Sequence, residues 1–194
     1  MIRRITQLFV GLVFYGVGLA LMVQAQIGIA PWDVLTQGLM RHTGLSFGIL
    51  TIITSIVVLL LWIPLRQKAG VGTVANALLV GVFAQIALDL LPAPGDLAGK
   101  VATFSLGLLL VGIATGMYLG ARFGPGPRDG LMTGLHRVTG WPVWIVRTGI
   151  EATVLIAGWL MGGDVGWGTL AFALLIGPLA GYFIPLLLVP AARR

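Results

Sequence analysis

The sequence predicts an all-α membrane protein made of two inverted repeats of three transmembrane helices, each repeat carrying a short broken or re-entrant helix. Three observations predict it. Charged residues are only 9% of the 194 and hydrophobic ones 58%, with a mean hydropathy of +1.02, whereas soluble domains carry about 25% charged residues. Apolar stretches run over 5–25, 47–65, 71–91, 101–121, 142–161 and 166–190, each close to the ~20 residues that cross a bilayer as a helix. The chain also matches itself at an offset of 96: residues 11–91 align with 107–187 without a gap, and 27 of the 81 pairs are identical. Apolar sequence matches itself by chance, but shared Gly, Pro, Asp, Arg and Thr positions do not follow from hydrophobicity.

The first stretch, MIRRITQLFVGLVFYGVGLALMVQA, begins like a secretory signal. Its apolar run exceeds the usual core of about 7–15 residues and it belongs to the repeat, so it reads as a retained span. A break follows in GIAPWDVLTQGL (28–39), matched by GPGPRDGLMTGL (124–135) in the second half. Gly28 and Gly124 let the chain leave the preceding helix. Pro31 and Pro127 suit the first position of a new helix, where a missing N–H costs nothing. Asp33 and Asp129 then fall in the first turn, able to accept from free backbone N–H groups and to oppose the positive helix end. The segments they open, 31–43 and 127–139, span roughly 20 Å each, too little for a ~30 Å hydrocarbon core. Two spans complete each half. The first repeat is 1–91, the polar linker PAPGDLAGK is 92–100, and the second repeat is 101–194.

Basic residues orient the chain. If the short segments do not cross and the N-terminus is cytoplasmic, Arg3, Arg4, Arg66, Lys68, Arg122, Arg128, Arg137, Arg193 and Arg194 fall on the cytoplasmic side or its rim. Only Arg41 and Lys100 fall clearly outside, as the positive-inside rule favours. An odd number of spans per half inverts the halves, the plan of many secondary transporters, whose site lies near the midplane between repeats.

Two features suggest where a site would be. A broken helix is tolerated at membrane depth where it lines a cavity or is buried in protein, so Asp33 and Asp129 are both ordinary caps and candidate wall residues. Arg147 and Glu151 lie four apart on one helix face, and Glu151 sits roughly 13 Å from a helix start near Pro142. An ionisable residue at that depth is expensive and points to function or to a structural ion pair; the first half has Thr51 and Ser55 at these positions. Gln24 and Gln26 end the first helix and read either as cavity lining or as an interfacial helix end. Arg122 and Arg128 flank the second break and read first as positive-inside anchors. Asn76 and Gln85 read first as interhelical hydrogen-bond glue. His42 and His136 do not align between the halves and have no partner at metal spacing. The six Trp residues lie mostly near span ends, as an aromatic belt would. Small-residue sets such as Gly112/Gly116/Gly120 and Gly177/Gly181 fit close helix packing. The expected substrate-binding set is therefore Asp33, Asp129, Arg147, Glu151, Gly28, Pro31, Gly124, Pro127, Arg128 and Gln24.

With Gly28, Pro31, Trp32, Asp33, Leu35, Gly38 and Leu39 in place as GxxPWDxLxxGL, the chain resembles the YczE/YyaS/YitT family of bacterial membrane proteins. The second copy departs from that pattern, with Arg128 where the first has tryptophan. The resemblance implies a multi-pass protein of the bacterial cytoplasmic membrane, with a permease-like role as the usual reading and no catalytic residues to carry over.

These observations favour a small-molecule transporter or channel with a midplane site. An accessory or substrate-binding membrane subunit that needs a partner is the alternative; no G-x4-G-K-[ST] motif occurs, so ATP energy would come from another chain. A membrane enzyme is disfavoured, because no Ser–His–Asp, His–Glu–x–x–His or paired-carboxylate motif appears. Zero cysteines exclude disulfides, thiolate metal sites and thiol catalysis. The expected partners are the lipid bilayer, an unknown small-molecule substrate and, given the small bundle, a second copy of the chain; no cofactor, metal or nucleic acid is expected. Both termini are expected on the cytoplasmic side.

Overall fold

Eight helices account for nearly all of the computed structural model, which describes residues 1–190. They are α1 (Ile2–Ala25), α2 (Pro31–Thr43), α3 (Phe47–Leu61), α4 (Val71–Leu90), α5 (Leu97–Gly120), α6 (Pro127–Thr139), α7 (Val143–Leu160) and α8 (Trp167–Leu186). No strand occurs among the described residues. Arg193 and Arg194, counted above with the cytoplasmic-side bases, lie outside them. Helices α1, α4, α5, α7 and α8 are each long and apolar enough to cross a membrane. A sixth crossing exists only if α2 and α3, bent by 115° at their junction, count as one span.

The shortfall lies in 47–65, expected as a full span. Its helix stops at Leu61 after 15 residues, about 22 Å at 1.5 Å per residue. Pro64 accounts for the stop: it has no N–H to donate to the Leu60 carbonyl, which accepts from the Ile63 N–H instead. Trp62–Arg66 form turns instead, closed by Arg66 at φ 50°.

The short helices begin at the two prolines and end at Thr43 and Thr139 as the sequence predicts, followed by left-handed Gly44 (φ 69°) and Gly140 (φ 71°). The offset of 96 recurs in backbone geometry. Helices α2 and α6, and α4 and α8, start and stop 96 residues apart, as do the starts of α3 and α7. Every residue with positive φ belongs to such a pair among those described: Gln26/Arg122, Gly28/Gly124, Gly44/Gly140 and Arg66/Gly162.

The two halves are stitched together reciprocally. The Gly72 N–H donates to the Phe123 carbonyl (2.9 Å) and the Gly168 N–H to the Ile27 carbonyl (2.8 Å). The Thr73 hydroxyl donates to the Pro125 carbonyl (2.7 Å), and the Ile29 N–H donates to the Thr169 hydroxyl (3.1 Å). The start of α4 is thus held by the break in the second half, and the start of α8 by the break in the first. Gly28 needs to be glycine on two counts: its φ is +101°, and a Cβ there would lie 2.5 Å from the Gly166 nitrogen.

Helices α1 and α5 form the centre and run antiparallel. Arg4 donates to the Ala121 and Arg122 carbonyls at one end, Gly18 meets the Gly107 backbone midway, and Lys100 bonds Gln26 at the other end. The buried core gathers on them, with Leu12, Leu19, Met22, Val111 and Phe104 enclosed between α4 and α8. Short helix α2 packs along α7, and α6 packs on α3, so each short helix leans on the opposite half. Trp62 takes part: it is buried, and its indole N–H donates to the Pro127 carbonyl (3.0 Å). Trp32 is buried as well, so only Trp141, Trp144, Trp159 and Trp167 are exposed as a belt would be.

Candidate functional site

Where the two halves meet, α1, α5 and the starts of α2 and α6 leave a cavity of about 190 Å³. It exceeds the ~150 Å³ of an engineered protein cavity that admits benzene, so a small organic molecule fits. Much of its wall consists of residues related by the offset: Pro31 with Pro127, Trp32 with Arg128, Thr51 with Arg147, Ser55 with Glu151, Asn76 with Phe172 and Val80 with Ile176. Tyr15, Thr115, Tyr118 and Asp129 complete its polar lining.

Local sequence explains how the charges arrive there. Pro31 and Pro127 start α2 and α6, which puts Asp33 and Asp129 at the third helical position. Asp33, expected to cap its helix by accepting from backbone N–H groups, instead lies just behind the cavity wall, 1% exposed, and accepts from Arg128 Nη2 at 3.4 Å. The burial of both groups decides this: a carboxylate out of water gains more from a cation than from half a helix dipole. Arg128 is accordingly an interior residue rather than the rim anchor expected first. Its guanidinium also lies over the Trp32 ring, 5.1 Å from the centroid, a cation–π arrangement. Asp129 accepts a hydrogen bond from the Tyr118 hydroxyl and sits beside Gly126, where a Cβ would come within 2.9 Å of its Oδ2.

On α7, Arg147 Nε donates to Glu151 Oε1 at 2.9 Å, and both residues face the cavity. A helical i, i+4 spacing places the two heads together. Glu151 is eight residues beyond Val143, the first of α7, hence roughly 12 Å along the helix.

Of the expected site residues, Pro31, Pro127, Arg128, Asp129, Arg147 and Glu151 line the cavity, with Asp33 immediately behind. Gly28 and Gly124 shape the crossings with Gly166 and Thr73 and do not line it. Gln24 lies elsewhere: its amide donates to the Leu88 and Leu91 carbonyls and closes the end of α4. Gln85 acts as glue, accepting the Gly48 N–H from α3 (3.0 Å), whereas Asn76 lines the cavity. His136 makes only a contact with the Trp141 carbonyl. Groups of metal-ligating side chains are absent among the described residues.

Sequence reasoning missed Tyr15 and Tyr118 as lining residues, and Trp32 as more than a family marker. A signal was available. The tyrosines stand in the middle of otherwise apolar spans opposite Val111 and Met22 in the repeat alignment, and a hydroxyl there needs a partner or a wet cavity. The indole N–H of Trp32 is buried without any hydrogen-bond partner, which costs on the order of 1–3 kcal/mol unless a guest or water accepts from it.

The comparisons with known proteins agree with the membrane reading. The family model described as a family of unknown function, DUF6198, matches residues 2–185. The uncharacterized membrane protein YczE of Bacillus subtilis is 37% identical over 200 residues, covering 100% of this chain and 93% of that protein. An uncharacterized protein of Haemophilus influenzae is 35% identical over 182 residues, with 94% and 84% covered. The uncharacterized protein YyaS of Bacillus subtilis is 27% identical over 181 residues, with 91% and 90% covered. No solved structure matches.

Proposed function

The chain belongs to the DUF6198 family, and we propose that it is a permease-like membrane protein that passes a small molecule through a site between two inverted repeats. One observation carries the reading. The cavity is walled by residues of both halves at equivalent positions, and Arg128 rests on Trp32, its own counterpart. Residues related by a pseudo-symmetry touch one another only close to the relating axis, which is where transporters with discontinuous helices hold their substrates. The antiparallel pairing of α1 with α5 and the reciprocal bonds between the breaks and the starts of α4 and α8 support the inversion.

A bacterial cytoplasmic membrane with both termini inside is the setting this reading implies. Its support is the sorting of basic groups by end. Arg4 bonds the end of α5 beside Arg122, and Arg137 bonds the Leu65 carbonyl next to Arg66. Arg41 pairs with Asp164 and Lys100 with Gln26 away from them.

Chemically, the cavity offers donors and acceptors in close company. Arg128 and Arg147 each spend one N–H on a carboxylate, out of the five a guanidinium has. A polar solute can therefore be held by exchange of hydrogen bonds, without a metal or cofactor. The test is a thermal-stability screen of the purified protein against classes of small metabolites. A true ligand at about a hundredfold excess over its Kd raises Tm by roughly 5–10 °C, and the same ligand accumulates in proteoliposomes. Stabilisation that survives unchanged when Arg147 and Glu151 are both replaced would end the assignment of the site.

A further inference from the structure

The two halves differ in the seam between their third and fourth helices. In the first, α3 packs along α4: Phe47 is buried, and Gly48 lies against Gly81 so tightly that a Cβ on either would come 2.5 Å from the other's carbonyl oxygen. Gln85 clamps the seam by accepting the Gly48 N–H. In the second half, the counterparts are Val143, Trp144, Gly177 and Gly181. An indole cannot occupy the place of Gly48 in such a contact, and a glycine cannot replace the Gln85 amide. Pro178 and Pro185 inside α8 also remove two backbone donors from that helix. The structure follows: α7 and α8 form no comparable seam, Val143 and Trp144 are 44% and 69% exposed, and a Cβ on Gly177 or Gly181 would meet nothing within 4 Å.

The opening leads to the cavity. Its α7 side carries Arg147 and Glu151, and its α8 side carries Ile176, Ala180 and Ile184, all of which line the same space. Arg147 is 39% exposed although it lies within a helix apolar enough to span a membrane. One flank of the passage is therefore ionic and the other aliphatic. A water-borne polar solute has no use for the aliphatic flank, and a pure hydrocarbon has none for the ion pair.

We propose that the gap between α7 and α8 is a lateral portal through which the cavity takes an amphipathic, lipid-like molecule from the bilayer. Its polar head meets Arg147, Glu151 and Arg128, and its apolar tail lies over Ile176, Ala180 and Ile184. This names the substrate class for the site proposed above and rests on that reading.

The chain has no cysteine, so Thr115→Cys places a unique reporter in the cavity wall. In lipid vesicles, its labelling by a long-chain maleimide dissolved in the bilayer is compared with labelling by a permanently charged, water-soluble maleimide. The portal requires that the lipid-dissolved reagent react faster. Decanoate and decylamine protect the cysteine, while butyrate and butylamine do not. Filling the gap with Ala180→Trp, or separately Ile184→Trp, abolishes lipid-borne labelling while thermal unfolding shows each variant still folded. Faster reaction with the charged reagent, unaffected by either tryptophan, overturns the portal but leaves the permeation site standing. Labelling by neither reagent overturns both. A disulfide-linked dimer formed by Gly177→Cys in membranes shows that a second copy covers the gap, and likewise overturns the portal.

Discussion

Asp33, 1% exposed, survives in an apolar interior because Arg128 reaches it from the other half of the chain. Removing one partner of a buried pair strands the other charge, at a cost of about 3–5 kcal/mol. Arg128→Ala, which strands the deeply buried Asp33, is therefore expected to lower stability by that amount in thermal or denaturant unfolding, and Asp33→Asn by clearly less, because the charge it strands, Arg128, is 19% exposed and keeps the Trp32 ring beneath it. Equal losses from the two variants would show that Arg128 is shut off from water as completely as Asp33. Glu151 differs in kind, since its side chain is 18% exposed to the cavity. Glu151→Gln should keep the fold, because the amide preserves shape and hydrogen bonding, while it abolishes the Tm shift given by a ligand. Arg147→Ala should be the harsher of the two, since it leaves the acid unpaired. A Glu151→Gln protein that unfolds early but binds normally would mark the pair as structural.

At the scale of the element, the breaks before α2 and α6 are held by the reciprocal bonds of Thr73 and Thr169. Thr73 accepts from the Gly70 N–H and donates to the Pro125 carbonyl; Thr169 accepts from the N–H groups of Gly166 and Ile29. With roughly 0.5–1.5 kcal/mol for each bond, Thr73→Val and Thr169→Val should each cost about 1–3 kcal/mol. Similar losses are the expected outcome, because the two residues have the same part in the two halves. The glycines rank by what surrounds them. Gly44→Ala, at φ 69° with open space around it, should cost about 1–2 kcal/mol for its left-handed backbone alone. Gly28→Ala adds a collision with the Gly166 backbone and should be clearly worse in the same unfolding assay. If the two were equal, the crossing of the first break with the start of α8 would be misplaced.

For the whole molecule, the proposed inverted arrangement predicts that the loop at 66–68 and the linker at 94–98 face opposite sides of the membrane. Single cysteines introduced in each, in a chain that has none, should label with an impermeant reagent from opposite sides of oriented vesicles. Labelling from one side would refute the inversion. Membrane insertion fits the surface as well: α7 and α8 expose Ile156, Trp159, Leu170, Leu174 and Leu175, large apolar side chains that a bilayer covers better than water does.

The helical class, the twofold plan at an offset of 96 and the extents of α2 and α6 were legible in the sequence alone. Apolar run length, prolines and left-handed glycines act through the local backbone, which needs no knowledge of neighbours. Arg147 and Glu151 were legible for the same reason, since a helix fixes the relation of residues four apart. Which residues face each other across the halves was not. The pairing of Arg128 with Asp33, the stacking of Arg128 on Trp32 and the place of Tyr118 against Asp129 join elements far apart in the chain, and their register depends on how α1 and α5 cross. Gln24 shows the converse: its polarity marked it as a site residue, yet helix packing spent it on the last carbonyls of α4. The open seam between α7 and α8 was likewise decided in three dimensions, because Trp144 and Gly177 mean nothing apart until the close Gly48–Gly81 contact shows what that position requires.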